Sequence, residues 1–448
     1  MRDLLVTAVV FASLPLILWR PWTGILMWSW ISYMNPHKLC WGFAYSMPFA
    51  LIIALTTLVA LVFSREPKKI PWTAETVCML LFLGWMVVTT TFAFYPELAW
   101  TQFEKVAKIL LMTFVTLILI NSRERLNAFI WSIVLSIGFF GVKGGFFTLA
   151  TMGVHRVYGP PTSFISGNNE IALALIMIIP LMRYLQLNTK KAIVYFGLAL
   201  AMLLSAVAAI GSQSRGALLA IVAMAFFFWL KSRGKAMTGI LIAVAAVVIA
   251  AVMPESWYER MESIKDYEQD GSALGRINAW KFAWNVALSR PLVGGGFEMF
   301  QSELFYIYAP NPDRVHDVHS IYFQALGHHG FIGLALFVLI GLFAWRSASQ
   351  VAKTAQSVKE LKPFADMVLM LQVSLLGYAT GGAFLGLGYF DLFYHLVACV
   401  VIVKVLVNHQ VTDLAERSDG LPAPLRPSGA PHLRGSSRAR PDHLTAAE

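Results

Sequence analysis

Long apolar runs at 46–64, 77–91, 192–211, 217–230, 236–253 and 331–345 constrain this chain more than any other feature. At a rise of about 1.5 Å per residue, such runs cross most or all of a hydrocarbon core about 30 Å thick. Lipid offers no partner to a free backbone amide, so a spanning segment must be a helix or a strand of a closed barrel. The runs lack the alternating pattern of barrel strands, and helices remain. Composition agrees: 57% of residues are apolar, only 13% are charged, and the mean hydropathy is +0.64. A soluble domain carries roughly 25% charged residues. The expected fold is therefore an all-α polytopic membrane protein.

Charge sets the orientation of such a chain, because Lys and Arg in short connectors stay on the cytoplasmic side. Basic clusters occur at Arg65-Glu66-Pro67-Lys68-Lys69, Arg123-Glu124-Arg125, Arg183 with Lys190-Lys191, Lys231 to Lys235, Arg346 to Lys362, and beyond Lys404. They alternate with connectors poor in charge, and one assignment places every cluster in the cytoplasm. Outside then fall 95–105, 151–169, 211–216, the long segment 254–320 and a tight turn near 386–388. This gives about ten crossings from Thr73 onward and about eleven with 46–64. A cytoplasmic Arg2 leaves room for a single crossing in Leu4–Met34, interrupted at Arg20-Pro21. The reading is thus about twelve transmembrane helices with both termini cytoplasmic, against an alternative of about thirteen with the N-terminus outside.

Other classes fit poorly. The first apolar stretch is expected to be a retained span, since Met1-Arg2-Asp3 carries almost no net charge and no small-x-small cleavage site follows. Cys40, Cys78 and Cys399 are far apart and offer neither a disulfide framework nor a CxxC site. The net charge of +10 is spread over short connectors and a Pro- and Arg-rich tail after His409, so topology accounts for it and no nucleic-acid partner is expected. That tail, 409–448, reads as disordered and cytoplasmic.

Chemistry is expected in the large external loop, 254–320. A helix is expected over Ala273–Ser289, capped by Ser272 and closed by Pro291, with Ile277, Trp280, Trp284 and Leu288 at helical spacing and its aromatic face on the membrane. Gly294-Gly295-Gly296 lacks the strand and the Lys-Ser/Thr of a phosphate loop and reads as a flexible corner. Arg156, Arg215 and Arg276 all fall on the external face. Singly, each is an ordinary snorkelling cation; together they suit a diphosphate, for which planar bidentate donors stabilise a departing anion. His316 and His319 stand just before the next span. Their spacing with His328-His329 fits no zinc pattern, so no metal is expected, and His319 at a helix N-terminus is a candidate proton acceptor. Asp266-Tyr-Glu268-Gln-Asp270 has the D-x-E spacing of some metal-dependent glycosyltransferases but lies in an acidic run that reads as a solvated surface. Lys143, Asn168, Asn169, His316 and Asp391 are supporting candidates. The asparagines would hold hydroxyl groups of a substrate or cap a helix, and Asp391 would neutralise an arginine or pair with Lys143.

His319-Ser320, followed after nine residues by Gly330-Phe-Ile-Gly333, resembles the H-[N/S/Q]-x9-G-x-x-[G/T/Y] signature of bacterial O-antigen ligases. Gly275-Arg276 with Trp280, Pro291-Leu-Val-Gly-Gly-Gly296 and Ser214-Arg215-Gly216 is similar to motifs of the wider ligase/polymerase superfamily. The N-terminal half, with Arg20-Pro21-Trp22, Asn35-Pro36-His37 and Trp41-Gly-Phe-Ala-Tyr45, resembles exosortase-associated probable O-glycosylation ligases.

The resemblance implies an inverting, metal-independent glycosyltransferase without cofactor, using His319 as base and Arg215 and Arg276 on the diphosphate. It would move a preassembled glycan from undecaprenyl diphosphate to a lipid A–core sugar hydroxyl, at the periplasmic face of the bacterial inner membrane. A protein O-oligosaccharyltransferase, a polysaccharide polymerase and, in another class, a lipid flippase or transporter are the alternatives. The expected organisation is N-terminal transmembrane helices over 1–253, a periplasmic loop with the site residues over 254–320, C-terminal transmembrane helices over 321–408, and the tail.

Overall fold

The structure, a computed structural model, describes residues 1–231, 234–252, 255, 257–258 and 271–417; among them every regular element is helical. The N-terminal part comprises α1 (Arg2–Trp19), α2 (Trp22–Met34), α3 (Phe49–Phe63), α4 (Ala74–Thr91), α5 (Pro96–Leu119) and α6 (Arg123–Ala150). There follow α7 (Asn168–Leu187), α8 (Ala192–Gly211), α9 (Arg215–Lys231) and α10 (Lys235–Val252). Beyond the long connection lie α11 (Gly271–Ser289), α12 (Ser302–Tyr308), α13 (Ile321–Gln356), α14 (Lys362–Gly382) and α15 (Asp391–Arg417).

Local signals start several of these helices. Thr73 and Thr76 form a reciprocal capping box ahead of α4, and the Ser122 hydroxyl accepts the Arg125 amide at 3.3 Å ahead of α6. Pro stands in the first turn of α5 and of α14, where its missing amide costs nothing. α7 and α15 form the centre, buried on nearly all sides, whereas α1 is mostly exposed at the rim. Among the described residues, eight helices are long and apolar enough to cross a membrane by length and composition. The larger sequence-based number includes α3, at 15 residues, and α5, which carries Glu97, Glu104, Lys105 and Lys108. Part of the connector expected at 95–105 is therefore the opening of α5, with a Glu104–Lys108 pair one turn apart.

The basic connectors gather at one end. Arg125 donates to both carboxylate oxygens of Glu66, at 3.0 and 2.7 Å, and the Arg123 guanidinium lies over the Phe364 ring. Lys404, buried, donates to Ser347 at 2.9 Å and sits 3.9 Å from buried Glu75, a charged pair that counting loop charges did not anticipate. The segments expected on the outside meet at the other end, where Arg156 bonds Gln213 and the Phe94 amide donates to Gly295.

One topological expectation is corrected. Leu4–Met34 is not a single interrupted pass: α1 and α2 form an antiparallel hairpin. Asp3 accepts the amides of Gly42 and Ala44 at one end, while Trp19 and Pro21 line a cleft with Phe63–Pro67 at the other. Pro21 is the cause. It has no amide to continue α1 and a φ suited to starting α2, so the chain reverses across Arg20-Pro21. Met1 thus lies at the end away from the basic clusters, as in the alternative of an outside N-terminus.

Cysteine labelling from either side of a membrane tests this arrangement. A cysteine placed at exposed Trp41 should react from the same side as one at Asp313, and one at Arg20 from the opposite side together with Lys68. Reaction of the Arg20 and Trp41 positions from one side would contradict the hairpin.

Candidate active site

The centre of the site end is a break in α13. Gly330 adopts φ 67°, ψ −168°, dividing a short helix over 321–329 from a long one over 331–356. The break withdraws helical amides from the carbonyls just before it. Backbone groups of the glycine-rich segment take their place: the Gly295 amide donates to Gly327 at 2.8 Å, the Gly296 amide to His328 at 2.9 Å, and Phe331 donates back to Pro291 at 2.9 Å. The Trp85 indole donates to the His329 carbonyl at 3.0 Å.

So close an approach of two main chains excludes side chains. A Cβ on Gly294, itself at φ 65°, would lie 2.5 Å from the Gly327 oxygen, and one on Gly330 would lie 2.3 Å from the Leu292 oxygen. The Gly294-Gly295-Gly296 run is therefore a backbone clasp and not the flexible corner expected from sequence.

Just ahead of the short helix, His319 takes a left-handed φ of 42°. Such a backbone is uncommon for a non-glycine residue and is held here by its surroundings. The Trp280 indole donates to the Val318 carbonyl at 2.7 Å and stacks on Phe323. The Asp317 carboxylate accepts the Val318 amide at 2.8 Å and lies 3.3 Å from His319 Nδ1. Partial desolvation pushes the Asp317 carboxyl up, yet the hydrogen bond and electrostatic interaction with the His319 ring, the Val318 amide and the nearby His328 ring outweigh this and lower it below its ordinary value. The His316 ring is 5.0 Å from that of His319, and its Nδ1 is 2.8 Å from the Asp317 carbonyl oxygen.

The expected arginines come to the same place. Gly275, the residue before Arg276, packs on the His316 ring, so close that a Cβ would be 2.9 Å from Cδ2. Arg215 opens α9, and the next residue, Gly216, abuts Phe384 and the Gly381 carbonyl. The turn after α14 continues to Gly386, which lies against Asp317 and His319. A single turn, 383–390, thus links the start of α9, the histidine turn and, through Phe384 against Trp280, the face of α11.

Other candidates act at a remove or elsewhere. Arg156 donates to Gln213 at 3.3 Å, and the Asn168 amide donates to the Ser212 carbonyl at 2.9 Å; both brace the 211–214 turn that presents Arg215. Asn168 is the first residue of α7, whose N-cap is Gly167, so it ties two segments instead of capping; Asn169 is half-buried beside it. Lys143 is exposed on α6, beside an apolar groove against α8. Asp391, buried at the start of α15, accepts from the Ser32 hydroxyl. The expected Lys143–Asp391 pair is not formed, because α6 turns Lys143 outward while Asp391 faces α2.

The expected helix over Ala273–Ser289 begins at Gly271. It buries Ala279, Phe282, Ala283 and Val286 against Met299, Leu304 and Phe305, leaving Trp284 and Leu288 exposed; the side chain of Ser272 lies outside the described residues. Asp266-Tyr-Glu268-Gln-Asp270 also lies outside them; of the tail expected to be disordered from 409, the residues up to Arg417 instead continue α15 as helix, and those beyond lie outside the described residues. Among the described residues, no three His, Cys, Asp or Glu side chains cluster as metal ligands.

Sequence reasoning missed Asp317, whose one signal is its place two residues before His319. It also missed a buried chain from α4 to the 383–390 turn. The Thr89 hydroxyl donates to Met86, so His329 Nδ1–H donates to Thr89 at 2.7 Å; Tyr389 then donates to His329 Nε2 at 2.8 Å and accepts from His328 Nδ1–H at 2.9 Å. Below Arg215, an apolar cavity of about 570 Å³ runs between α9 and α10, lined by Leu218, Val222, Phe226, Ile242 and Trp257 among others.

Comparison with known proteins adds two findings. Residues 200–338 match the family described as O-antigen ligase, bearing out the resemblance over the stretch that holds Arg215, Arg276, His319 and Gly330. Residues 1–190 match a family of unknown function (DUF5935). No curated protein matches the chain.

The backbone clasp makes a direct prediction. Gly294→Ala should destabilise the protein by more than the roughly 1–2 kcal/mol of a left-handed alanine, because its Cβ also meets backbone. Thermal unfolding in detergent measures this, and an unchanged midpoint would refute the clasp.

Proposed function

We propose that this chain, whose residues 200–338 are those of an O-antigen ligase domain, transfers a preassembled glycan from undecaprenyl diphosphate to a sugar hydroxyl, with lipid A–core as acceptor. The observation that carries the reading is the convergence of the Arg215, Arg276 and His319 segments on one turn, at the end opposite the basic connectors. By the positive-inside rule that end faces the periplasm of a bacterial inner membrane.

The chemistry asks little more. The donor already stores the energy of transfer in its anomeric C1–O–P bond, so the enzyme supplies a base for the incoming hydroxyl and cations for the departing diphosphate. Arg215 and Arg276 would bind the diphosphate, the cavity under Arg215 would take part of the polyprenyl tail, and His319 would accept the hydroxyl proton. A single displacement inverts the anomeric configuration. Arg156 and Asn168 serve the site by holding the Arg215 turn, and His316 is secondary.

Reconstitution with a polyprenyl-diphosphate glycan, offering lipid A–core and pilin-like protein in parallel, tests the acceptor. Glycan on protein alone would make the chain a protein O-oligosaccharyltransferase, extension of the donor glycan would make it a polymerase, and translocation without transfer would make it a flippase. In the same assay His319→Ala should cut transfer by ~10²–10⁴-fold with donor binding retained. His316→Ala should do much less. Parental transfer by His319→Ala would remove the base assignment.

Arginine rather than metal should neutralise the leaving group. Transfer should persist in EDTA, and Arg276→Lys should be nearly as damaging as Arg276→Ala, since a point charge cannot reproduce a bidentate contact. Activity lost in EDTA and restored by Mg²⁺ or Mn²⁺ would shift attention to Asp266 and Glu268.

A further inference from the structure

The two histidines before α13 are anchored differently, and the difference concerns a carboxylate that no motif includes. Each presents Nδ1 to an acceptor that has no proton to give, so each carries its proton on Nδ1 and leaves an Nε2 lone pair. For His316 the acceptor is the neutral Asp317 carbonyl, at 2.8 Å; for His319 it is the Asp317 carboxylate, at 3.3 Å. A carboxylate stabilises an imidazolium as it forms, and a carbonyl does so far less.

We propose that Asp317 is the positioning residue of the site: it fixes the His319 tautomer and directs Nε2 to the acceptor hydroxyl. This rests on the reading of His319 as the base. Asp317 is itself held, since its other oxygen accepts the Val318 amide at 2.8 Å, and Gly386 faces the oxygen turned to His319, where a Cβ would come within 3.2 Å. As the new O–C1 bond forms, the hydroxyl proton moves to Nε2. The C1–O bond to phosphorus breaks with its electron pair on the diphosphate, and Asp317 stays ionised opposite the imidazolium.

Several groups share this electrostatic setting. His316 and Arg314 lie on the same connector, Arg276 follows the glycine that abuts His316, His328 on α13 acts on Asp317, and Tyr389 is the titratable group of the 383–390 turn. Water weakens the pair, as Asp317 is 55% and His319 26% exposed. The expected effect is therefore about 10- to 100-fold, smaller than in fully buried Asp–His pairs.

The test uses the full-length protein in the reconstituted transfer assay. Asp317→Asn, close to isosteric, should lower kcat about 10- to 100-fold with donor KM little changed. Asp317→Glu should recover much of the rate, which a loss of folding would not allow. If Asp317→Asn keeps the parental rate while His319→Ala is inactive, the positioning role is wrong and the base stands. Parental activity of His319→Ala would instead show that the underlying reading failed.

Discussion

A helix broken within a low-dielectric interior must find new partners for every carbonyl it frees, and the rest of the site follows from how α13 meets this demand. The cost of an unpaired backbone group there is several kcal/mol, enough to decide between folds. Gly295 and Gly296 answer Gly327 and His328, and the Trp85 indole answers His329. The clasp in turn fixes the end of α11, whose Arg290 bonds the Phe92 carbonyl and covers the Phe94 ring. The loop that carries Trp280 and Arg276 is thereby tied to α4 and α13.

The same break leaves the short helix over 321–329 free to set the histidine turn at an angle the long helix does not dictate. His329, Tyr389 and His328 then fill the space beneath with a fully directed chain of hydrogen bonds. Through Tyr389 that chain reaches the 383–390 turn, whose Gly386 faces Asp317 and His319. A site made from connectors thus rests on a rigid buried frame, which suits chemistry that depends on position more than on reactive groups.

The N-terminal half contributes support more than reactive groups. Arg156 and Asn168 steady the turn before Arg215, and α2 contacts α15 through Ser32 and Asp391. In the proposed reaction the bond energy comes with the donor, so two guanidiniums and a base suffice, provided that they are held together. The contrast between His316 and His319 illustrates the point: nearly adjacent residues of one type differ through the group behind each ring.

The sequence by itself determined what depends on lipid and on neighbours in the chain. Apolar length dictated helices, the alternation of basic connectors sorted the ends, and the motifs around Arg215, Arg276, His319 and Gly330 marked the stretch that the O-antigen ligase family covers. These were legible because membrane solvation acts on each segment separately and a motif is a local record. Only the tertiary structure decided that Arg20-Pro21 reverses the chain, that Gly294–Gly296 is a clasp, that Lys143 and Asp391 stay apart, and that Asp317 stands behind His319. Their causes are contacts between distant segments: Phe331 with Pro291, Gly386 with Asp317, Asp3 with Gly42. Distances along the chain carry no information about which buried donor will meet which acceptor until the helices have packed.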